Sequence, residues 1–336
     1  EASHLARVCV RVLAPGPVVH PESRRISLDL RTKPVMRLLL VLVMVGCSSD
    51  DSSTVEQPST PPAEAPSAWL PMIGEYGSGN DTVSILEDEG SLVLLRWNGE
   101  QRLMTARSDS TFLVEGEEGG ATLRGLGAGA ARVLVLNGLE HARLTLGGED
   151  GGTFRIEPIR PVDVLRADAL GALPPVEPGD FLASDLVELI TLDETILLDI
   201  RYASTDNFMG DVFYSAPRAF LQRPAAEALV RVHQWLGARG YGLLVHDVYL
   251  TWYVTKMFWD ATPEDLRIFV ADPASGSRHN RGAAVDLTLY DLSTGEPIAM
   301  PGGYDEFSPR SFPDYPGGTS RQRWHRALLR QAMERE

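Results

Sequence analysis

The chain has 336 residues, 43% of them hydrophobic and 23% charged, and its formal net charge is -15 at pH 7. This is the composition of an ordinary globular protein, with enough residues for two domains. Nucleic acid is excluded as a partner, because phosphate binding needs a basic patch and the sequence expected to fold contains none. The only cysteines are Cys9 and Cys47, which excludes a disulfide framework and a thiolate metal site from the rest of the chain.

The N-terminal residues predict an exported lipoprotein. Residues 36–47 open with Met-Arg, continue with a short apolar run and end in Gly-Cys. This is the layout of a secretory signal, and the apolar run is too short to span a bilayer as a helix. The segment resembles a bacterial lipoprotein signal, so we expect translation to start at Met36 and Cys47 to carry the lipid.

The segments on either side fit this interpretation. Residues 1–35 lack a clear periodicity and are interpreted as upstream read-through that is not translated. Residues 48–68 are rich in Ser, Thr, Pro and Glu and have almost nothing to bury, which predicts a disordered linker. A buried strand that happens to end in Gly-Cys is the alternative for the apolar run.

A lipid anchor with a linker implies a protein held in the cell envelope, on the periplasmic face. Ser48 follows the lipid cysteine, where an aspartate would indicate retention at the inner membrane. The outer membrane is therefore favoured if the organism has two membranes.

Residues 69–161 have the pattern of a small β-rich domain. Short apolar runs are separated by Gly, Asn, Asp and Glu, which is typical of a small antiparallel barrel or sandwich. We expect strands in "TVSILED", "SLVLLRW", "RLMTAR", "TFLVEG", "ARVLVLNG" and "ARLTLGG". His141 is the only histidine of this region and is expected to be structural or solvated.

A Pro-containing connector, "ALGALPPVEPGDF", leads to a second domain at residues 182–336. Apolar residues at helical spacing, with Pro224 near the start and Gly237 at the end, predict a helix in "RPAAEALVRVHQWLGARG". "YGLLVHDVYL" and "AAVDLTLYDL" are predicted strands, "TWYVTKMFWDATPEDL" a helix and loop, and "SRQRWHRALLRQAMERE" a helix without a C-cap. Helices and strands mixed with long loops predict an α+β fold.

The stretch "GSRHNRGAAVDLTL", residues 276–289, contains the main chemical signal. Strand alternation turns Asp286 away from the hydrophobic side. His279 lies across an Asn-Arg-Gly turn, where Gly282 allows a tight reversal that can bring imidazole and carboxylate together. Both groups are good zinc donors. A buried hydrogen-bonded pair is the alternative, and the residues alone leave both open.

Three stretches resemble the D-alanyl-D-alanine dipeptidases, the zinc peptidase family that includes the vancomycin-resistance dipeptidase. "DIRYASTDNFMGDVFY" (199–214) is similar to that family's Arg-Tyr-Ala-Thr-x-Asn-Phe-x-Gly segment, and "DVYLTWYVTKMFWDATP" (247–263) to its Asp-x-Tyr-Arg-Pro segment and following helix. "GSRHNRGAAVDLTL" matches its Ser-x-His-x-x-Gly-x-x-x-Asp metal motif. The resemblance covers about residues 186–336 and implies hydrolysis of the D-Ala-D-Ala dipeptide in cell-wall metabolism with one zinc ion.

The resemblance also implies roles for individual residues. His279 and Asp286 would be two of three zinc ligands, and Ser277 would border the substrate. Asp305 would hold the free amino group of a small D-amino-acid dipeptide, although a solvated loop acid is the alternative. Zinc would polarise the scissile carbonyl and lower the pKa of water, a glutamate would take the proton, and an arginine would steady the oxyanion.

The sequence departs from the family pattern at two places. Leu250 occupies the position of the family's transition-state arginine, with Thr251 in place of the following proline, and losing one such donor typically costs about 10²–10³ in rate. Arg201 and Arg281 are the candidates to substitute. The family's Glu-x-x-His pair, which supplies the base and the third ligand, is not found before Glu336. We therefore expect a reading frame open at both ends, which the coding sequence beyond codon 336 would test.

None of the other histidines of this domain comes with a glutamate at suitable spacing. His325 is interpreted as surface or helix-packing, His233 as solvated on an amphipathic helix, and His246 as a neighbour of the site. A zinc D-Ala-D-Ala dipeptidase is the leading hypothesis. The alternatives are a catalytically degenerate dipeptidase fold that binds peptidoglycan fragments or a partner protein, and a related D,D-carboxypeptidase.

Overall fold

The computed structural model describes residues 60–126, 130–147 and 152–336. The predicted signal peptide with Cys47 and the upstream segment lie outside the described residues, so their assignments stay predictions. Within the described ranges, no helix is both long enough and apolar enough to cross a membrane.

Eight short strands form one antiparallel sheet, in which each strand pairs with the next along the chain. They are β1 (Gly74–Tyr76), β2 (Val83–Asp88), β3 (Ser91–Arg96), β4 (Gln101–Ala106), β5 (Thr111–Val114), β6 (Ala121–Arg124), β7 (Val133–Leu136) and β8 (Leu139–Ala142). After β8 the chain returns to β1, where Leu144 donates its N–H to the Glu75 carbonyl at 2.8 Å. Tyr76 and Arg143 form an isolated bridge there. The sheet therefore curves into a nearly closed barrel, one of the two predicted alternatives.

Alternating side chains of these strands fill the barrel. The buried members of its core include Tyr76, Ile85, Leu92, Leu94, Met104, Phe112, Leu123 and Leu134. The β2–β3 hairpin turns through Glu89 and Gly90, both with positive φ (45° and 79°), as the tightest hairpin turn requires. Each fully buried large apolar side chain contributes about 1.5–3 kcal/mol, so the barrel has a core of its own.

The predicted strands of the barrel are confirmed in part. "TVSILED", "SLVLLRW", "RLMTAR", "TFLVEG" and "ARVLVLNG" coincide with β2, β3, β4, β5 and β7. "ARLTLGG" is wrong as a strand, because β8 ends at Ala142, and the short strands β1 and β6 are not predicted. Strands of three or four residues show too little alternation to be recognised.

The second part of the chain mixes helices and strands, which agrees with the predicted α+β fold. The helices are α1 (Val162–Gly171), α2 (Arg223–Gly237), α3 (Trp252–Ala261) and α4 (Ser320–Glu334). The strands are β9 (Leu186–Glu188), β10 (Leu197–Leu198), β11 (Phe220–Gln222), β12 (Tyr241–Asp247) and β13 (Asp286–Asp291). β10, β12 and β13 form a sheet in that order, with β10 parallel and β13 antiparallel to β12, and β9 pairs with β11.

Two clusters make up the core around this sheet. β12, buried along its whole length, packs with β13, α2 and α4 through residues that include Val245, Leu289, Leu229 and Leu328. The second cluster is rich in aromatic side chains and joins α1, α3 and the loops beside them; it includes Tyr202, Phe208, Phe213, Phe258 and Phe307. The candidate site lies where β12 and β13 meet this aromatic cluster.

Helix α1 lies between the predicted β-rich domain and the predicted connector and includes the first three residues of the connector, 169–171; no helix is predicted there. Its Leu165 and Ala169 are buried in the aromatic cluster, and Phe154 and Ile156 pack beside them. Residues on both sides of the predicted boundary at residue 161 therefore contribute to the second core. Helix α1 has weak sequence signals because its stability comes from this packing rather than from a capped, amphipathic pattern.

The end of the predicted linker contacts the folded part. A carboxylate oxygen of Glu64 lies 3.3 Å from the Arg321 guanidinium of α4. Glu64 is itself largely exposed, so this ion pair contributes little to stability. The rest of the predicted linker, up to residue 59, lies outside the described residues.

Candidate metal centre

The candidate site forms where β12 ends and β13 begins. Val245 lies opposite Leu287, but Asp247 lies opposite Asp286, so the register shifts by a β-bulge at His246. Bulges re-aim the side chains at the end of a strand. This one places two carboxylates against each other, one buried (Asp247, 1% exposed) and one half-buried.

His279 reaches the same point from the turn before β13. The 3-10 turn His279–Arg281 ends at Gly282, whose φ of 63° reverses the chain, a conformation that glycine adopts without strain. Asn280 fixes the turn by donating to the Leu250 carbonyl at 2.8 Å. The predicted reversal at Gly282 is therefore confirmed.

The His279 ring lies between the two carboxylates. Its Nε2 is 3.5 Å from Asp286 Oδ1, and its Nδ1 is 3.3 Å from Asp247 Oδ2. Nδ1 is also 2.7 Å from the carbonyl oxygen of Val248. Because a carbonyl only accepts, we assign a proton to Nδ1, which leaves Nε2 as the nitrogen that faces Asp286.

The electrostatics of the cluster favour a positive charge between the acids. Burial alone would lower the pKa of the His279 imidazole, but the charge of Asp286 and hydrogen bonds to both carboxylates raise it well above its usual value. Burial raises the pKa of the Asp247 carboxyl, and the hydrogen bond with His279 opposes that shift. Tyr214 donates to Asp247 Oδ1 at 2.6 Å, which replaces water as a partner of the buried acid.

The donor set fits a divalent metal ion. One nitrogen or oxygen of each of Asp247, His279 and Asp286 lies within 4.8 Å of the others, the only such group within the described ranges. Zinc accepts imidazole nitrogen and carboxylate oxygen. Since Asp247 faces the protonated Nδ1, its position is that of the partner that orients a metal-binding histidine, while Nε2 and Asp286 face each other.

Asp305 lies close to this cluster, on the loop between β13 and α4. Tyr202 donates a hydrogen bond to its Oδ2. Asp305 lines a small cavity of about 40 Å³ together with Asp247, His279 and Asp286. The structure thus brings Asp305 to the site, where the sequence also allowed a solvated loop acid.

Leu250 lines the same small cavity with an apolar surface. It is 5% exposed and belongs to the aromatic cluster with Phe208 and Phe258. The hydroxyl of the next residue, Thr251, is buried without a hydrogen-bond partner in the described structure. Position 250 therefore provides hydrophobic contact, not a hydrogen-bond donor.

Ser277 both lines the candidate site and hydrogen-bonds the turn that carries His279. It lines the small cavity, and its hydroxyl accepts the backbone N–H of His279 at 3.2 Å. Ser277 therefore borders the site and also holds the turn that carries His279.

The two arginines considered as substitutes differ in position. Arg281 forms an exposed ion pair with Glu177. Arg201 lines a larger cavity of about 410 Å³, which Asp286 and Asp305 also line. Its Nε lies 2.6 Å from Asp199 Oδ2. Of the two, Arg201 is the one beside the site, with its guanidinium already engaged by a carboxylate.

The remaining histidines have structural contacts. The prediction that His233 is solvated is wrong: it is 6% exposed, and its Nδ1 accepts the Leu243 N–H at 3.1 Å. His325 is buried and packs in the helix interface, so the surface alternative for it is wrong. His246 lies beside the site as predicted, with Nδ1 3.3 Å from the Asp199 carbonyl and carboxylate oxygens.

Comparison with known proteins assigns the α+β domain, which contains the His279 cluster, to a protein family. The family model for D-Ala-D-Ala dipeptidases, Peptidase_M15, matches residues 183–336. The D-alanyl-D-alanine dipeptidase of Escherichia coli K12 is 31% identical over 150 residues, which are 45% of this chain and 76% of that protein. The chain belongs to the D-alanyl-D-alanine dipeptidase family.

Other relatives of the same name have similar coverage. The D-alanyl-D-alanine dipeptidase of Streptomyces coelicolor is 36% identical over 154 residues, covering 40% of this chain and 74% of that protein. That of Enterococcus faecium is 33% identical over 154 residues, covering 40% and 76%. The matched region is the α+β domain that contains the His279 cluster, and the resemblance inferred from three short motifs is confirmed.

Sequence reasoning missed Asp247 and its partner Tyr214 as parts of this dipeptidase-family site. Asp247 belongs to "DVYLTW", the segment matched to the family's Asp-x-Tyr-Arg-Pro, and that match was the signal that could have identified it. Its approach to His279 depends on a long-range strand pairing with a bulge, which no local spacing reveals.

Proposed function

We propose that this chain is a zinc-dependent peptidase that hydrolyses the D-Ala-D-Ala dipeptide in cell-wall metabolism. One observation carries the proposal: His279 is held between Asp286 and Asp247, beside Asp305. Membership of the D-alanyl-D-alanine dipeptidase family gives this cluster its reaction class.

Each residue of the cluster has a separate task in this proposal. His279, through Nε2, and Asp286 would hold one zinc ion, and Asp247 would fix the orientation of the His279 ring. Zinc, when bound, supplies a Lewis acid that polarises a carbonyl and lowers the pKa of water. Asp305 would pair with the free amino group of the substrate. That pairing favours a dipeptide over a longer chain, because only the dipeptide places its charged amine next to the bond that is cut.

A lipid anchor at Cys47 would hold this activity in the cell envelope, where D-Ala-D-Ala peptides occur. Labelling with an alkyne fatty acid, compared between wild type and Cys47→Ser, tests the anchor. Label on the wild type only, in the membrane fraction, is expected, and label on both proteins would contradict it.

A catalytically degenerate member of the family is the second candidate, and Leu250 favours it. The leucine is buried among aromatic side chains and offers no donor to a developing oxyanion. Such a protein would bind zinc and the dipeptide, or a related peptidoglycan fragment, without turnover.

One experiment separates the two candidates. Zinc content, D-Ala-D-Ala binding and D-Ala-D-Ala cleavage are measured for the wild type, Leu250→Arg and Leu250→Met, each expressed from the complete reading frame. The Met variant is the matched control, since it has a long, uncharged side chain at the same position. If the wild type is an enzyme, it cleaves the dipeptide and loses the activity on chelation.

The other outcomes are equally distinct. Zinc binding with turnover only in Leu250→Arg identifies a degenerate enzyme. Zinc and dipeptide binding without turnover in any variant supports the binding protein. A wild type that binds no zinc contradicts the metallopeptidase proposal.

A further inference from the structure

Buried charges that the proposed chemistry does not use join the barrel to the peptidase domain. Glu75 of β1 is 5% exposed, and its Oε2 lies 2.5 Å from Arg310 Nη2. Tyr315 donates a further hydrogen bond to the same carboxylate. A buried ion pair is tolerated only with good geometry and additional hydrogen bonds, so this contact fixes one part of the molecule against the other.

A second contact lies at the start of α4. Glu87 of β2 is 2% exposed, and its Oε2 accepts the Ser320 N–H at 2.7 Å. An acid is favoured at a helix N-terminus by the helix dipole. Arg323 of α4 donates to Asp88 Oδ1 at 2.6 Å. The chain from Arg310 to Ser320 is therefore held against the barrel at both of its ends.

Arg310 belongs to the loop that carries Asp305, residues 301–312, which we call the Asp305 loop. Inside this loop Glu306 is 3% exposed, accepts the Gly303 N–H at 2.9 Å and lies 4.0 Å from Arg310 Nε. Asp305 itself has a φ of 47°, which a non-glycine residue keeps only when its surroundings enforce it. The hydrogen bond from Tyr202 to Asp305 and the contacts of Glu306 and Arg310 within the loop are surroundings of this kind.

We propose that the barrel positions the substrate-binding loop of the peptidase site. Glu75, through Arg310, holds the Asp305 loop in the conformation that presents Asp305 to the amino group of the substrate. Glu75 and Arg310 are positioning residues in this role. The substrate part of this inference rests on the proposed function, whereas the mechanical link between barrel and loop does not.

The physical reason lies in the position of the two acids around Arg310. Glu75→Gln replaces the carboxylate 2.5 Å from the buried Arg310 guanidinium with a neutral amide, while the Glu306 carboxylate remains 4.0 Å from Arg310 Nε. Because removing one partner of a buried ion pair is destabilising, the Arg310 side chain is expected to shift from its position against β1. Arg310 and Glu306 belong to the Asp305 loop, so this shift is expected to loosen the loop beside Asp305.

The test uses the full chain and two glutamates of the barrel. Glu75→Gln removes the charge at nearly constant size. Glu117→Gln is the matched control, because the ion pair of Glu117 with Arg96 joins two residues of the barrel domain and does not involve the Asp305 loop. Hydrogen–deuterium exchange with mass spectrometry follows the amides of the Asp305 loop. Calorimetry compares the affinities for D-Ala-D-Ala and N-acetyl-D-Ala-D-Ala, which lacks the charged amine.

Glu75→Gln is expected to speed exchange in the Asp305 loop by about tenfold and to reduce the preference for the free amine by about tenfold. Glu117→Gln is expected to change neither. The double variant Glu75→Gln/Arg310→Met removes both charges and with them the whole link, so exchange in the Asp305 loop should be as fast as in Glu75→Gln, and the two substitutions should not add. This variant also keeps the test valid if Glu75→Gln alone folds poorly.

Three results would overturn the proposal in different ways. Unchanged exchange in Glu75→Gln would show that the barrel is not mechanically linked to the Asp305 loop, whatever the chain binds. Faster exchange with an unchanged preference for the free amine would show that the conformation of the Asp305 loop does not control how Asp305 binds the amine. A wild type without preference for the free amine removes the substrate part together with the assigned role of Asp305, and the exchange rates then show whether the mechanical link has failed as well.

Discussion

The surroundings of two histidines with little exposure to solvent in the peptidase domain differ in a way that separates a proposed metal ligand from a packed side chain. His325 is 4% exposed and meets the Trp324 ring edge-on at 5.2 Å. Burial, with a smaller effect from Arg321, lowers its pKa to about 4. The His279 side chain is 12% exposed, yet Asp286 and Asp247 raise its pKa well above the usual value against the effect of burial. Burial alone therefore does not indicate a site, and the flanking carboxylates do.

The strongest way to test this comparison is the same substitution at both histidines. His279→Gln is expected to weaken zinc binding at least about 100-fold, because it would remove one of the two proposed zinc ligands. His325→Gln should leave the zinc affinity of the folded protein unchanged. Competition with a chromophoric zinc chelator measures both. Equal losses in the two variants would contradict the assignment of His279.

The proposed role of Asp247, as the partner that orients the His279 ring, predicts a smaller effect on zinc binding. Asp247→Asn keeps the shape but removes the charge 3.3 Å from Nδ1. Loss of such a partner typically weakens metal binding about 10–100-fold. Asp260→Asn is the control, since Asp260 pairs with Lys256 on α3 instead. A zinc affinity in Asp247→Asn as low as in His279→Gln would show that Asp247 is itself a ligand.

His325 predicts a pH dependence of stability. Its pKa is lower in the folded protein than its ordinary 6.5, so the unfolded chain binds the extra proton between pH 6.5 and about pH 4. Stability is therefore lost as the pH falls through this window, by about 1 kcal/mol from His325 alone between pH 7 and 5.5. Urea unfolding of wild type and His325→Gln at both pH values measures the difference. Parallel pH profiles would contradict the prediction.

The sequence reveals the half of the site that is local along the chain. His279, Gly282 and Asp286 lie within one turn and strand, so spacing and alternation are enough to predict their meeting. Asp247 joins them through a bulged pairing between two strands, and a single sequence contains no signal for that register. Leu250 was recognised only because a family pattern placed an arginine there.

The same distinction applies to the fold. The barrel is predictable from repeated short runs, and α2 from its amphipathic spacing and Pro224, since each signal is contained in one segment. Helix α1 and the burial of His233 depend on partners that are distant in sequence. From its helix alone, a histidine on the polar side of an amphipathic helix is predicted to be solvated. In the structure, the strand beside His233 supplies a backbone N–H that needs an acceptor, and the imidazole is buried against it.

The weakest expected effect concerns the hydroxyl that accompanies His325. Tyr241 Oη lies 3.1 Å from His325 Nε2, and a hydroxyl donor stabilises the neutral imidazole. Tyr241→Phe should cost about 0.5–1.5 kcal/mol at pH 7. It should also flatten the pH dependence due to His325, because the neutral form loses its partner and the pKa moves back towards 6.5. Tyr253→Phe is the control for removing a hydroxyl elsewhere in the domain. An unchanged pH profile in Tyr241→Phe would mean that packing alone keeps His325 neutral. The pKa values of the two histidines would then differ because of burial at His325 and carboxylates at His279, with no contribution from the hydrogen bond of Tyr241.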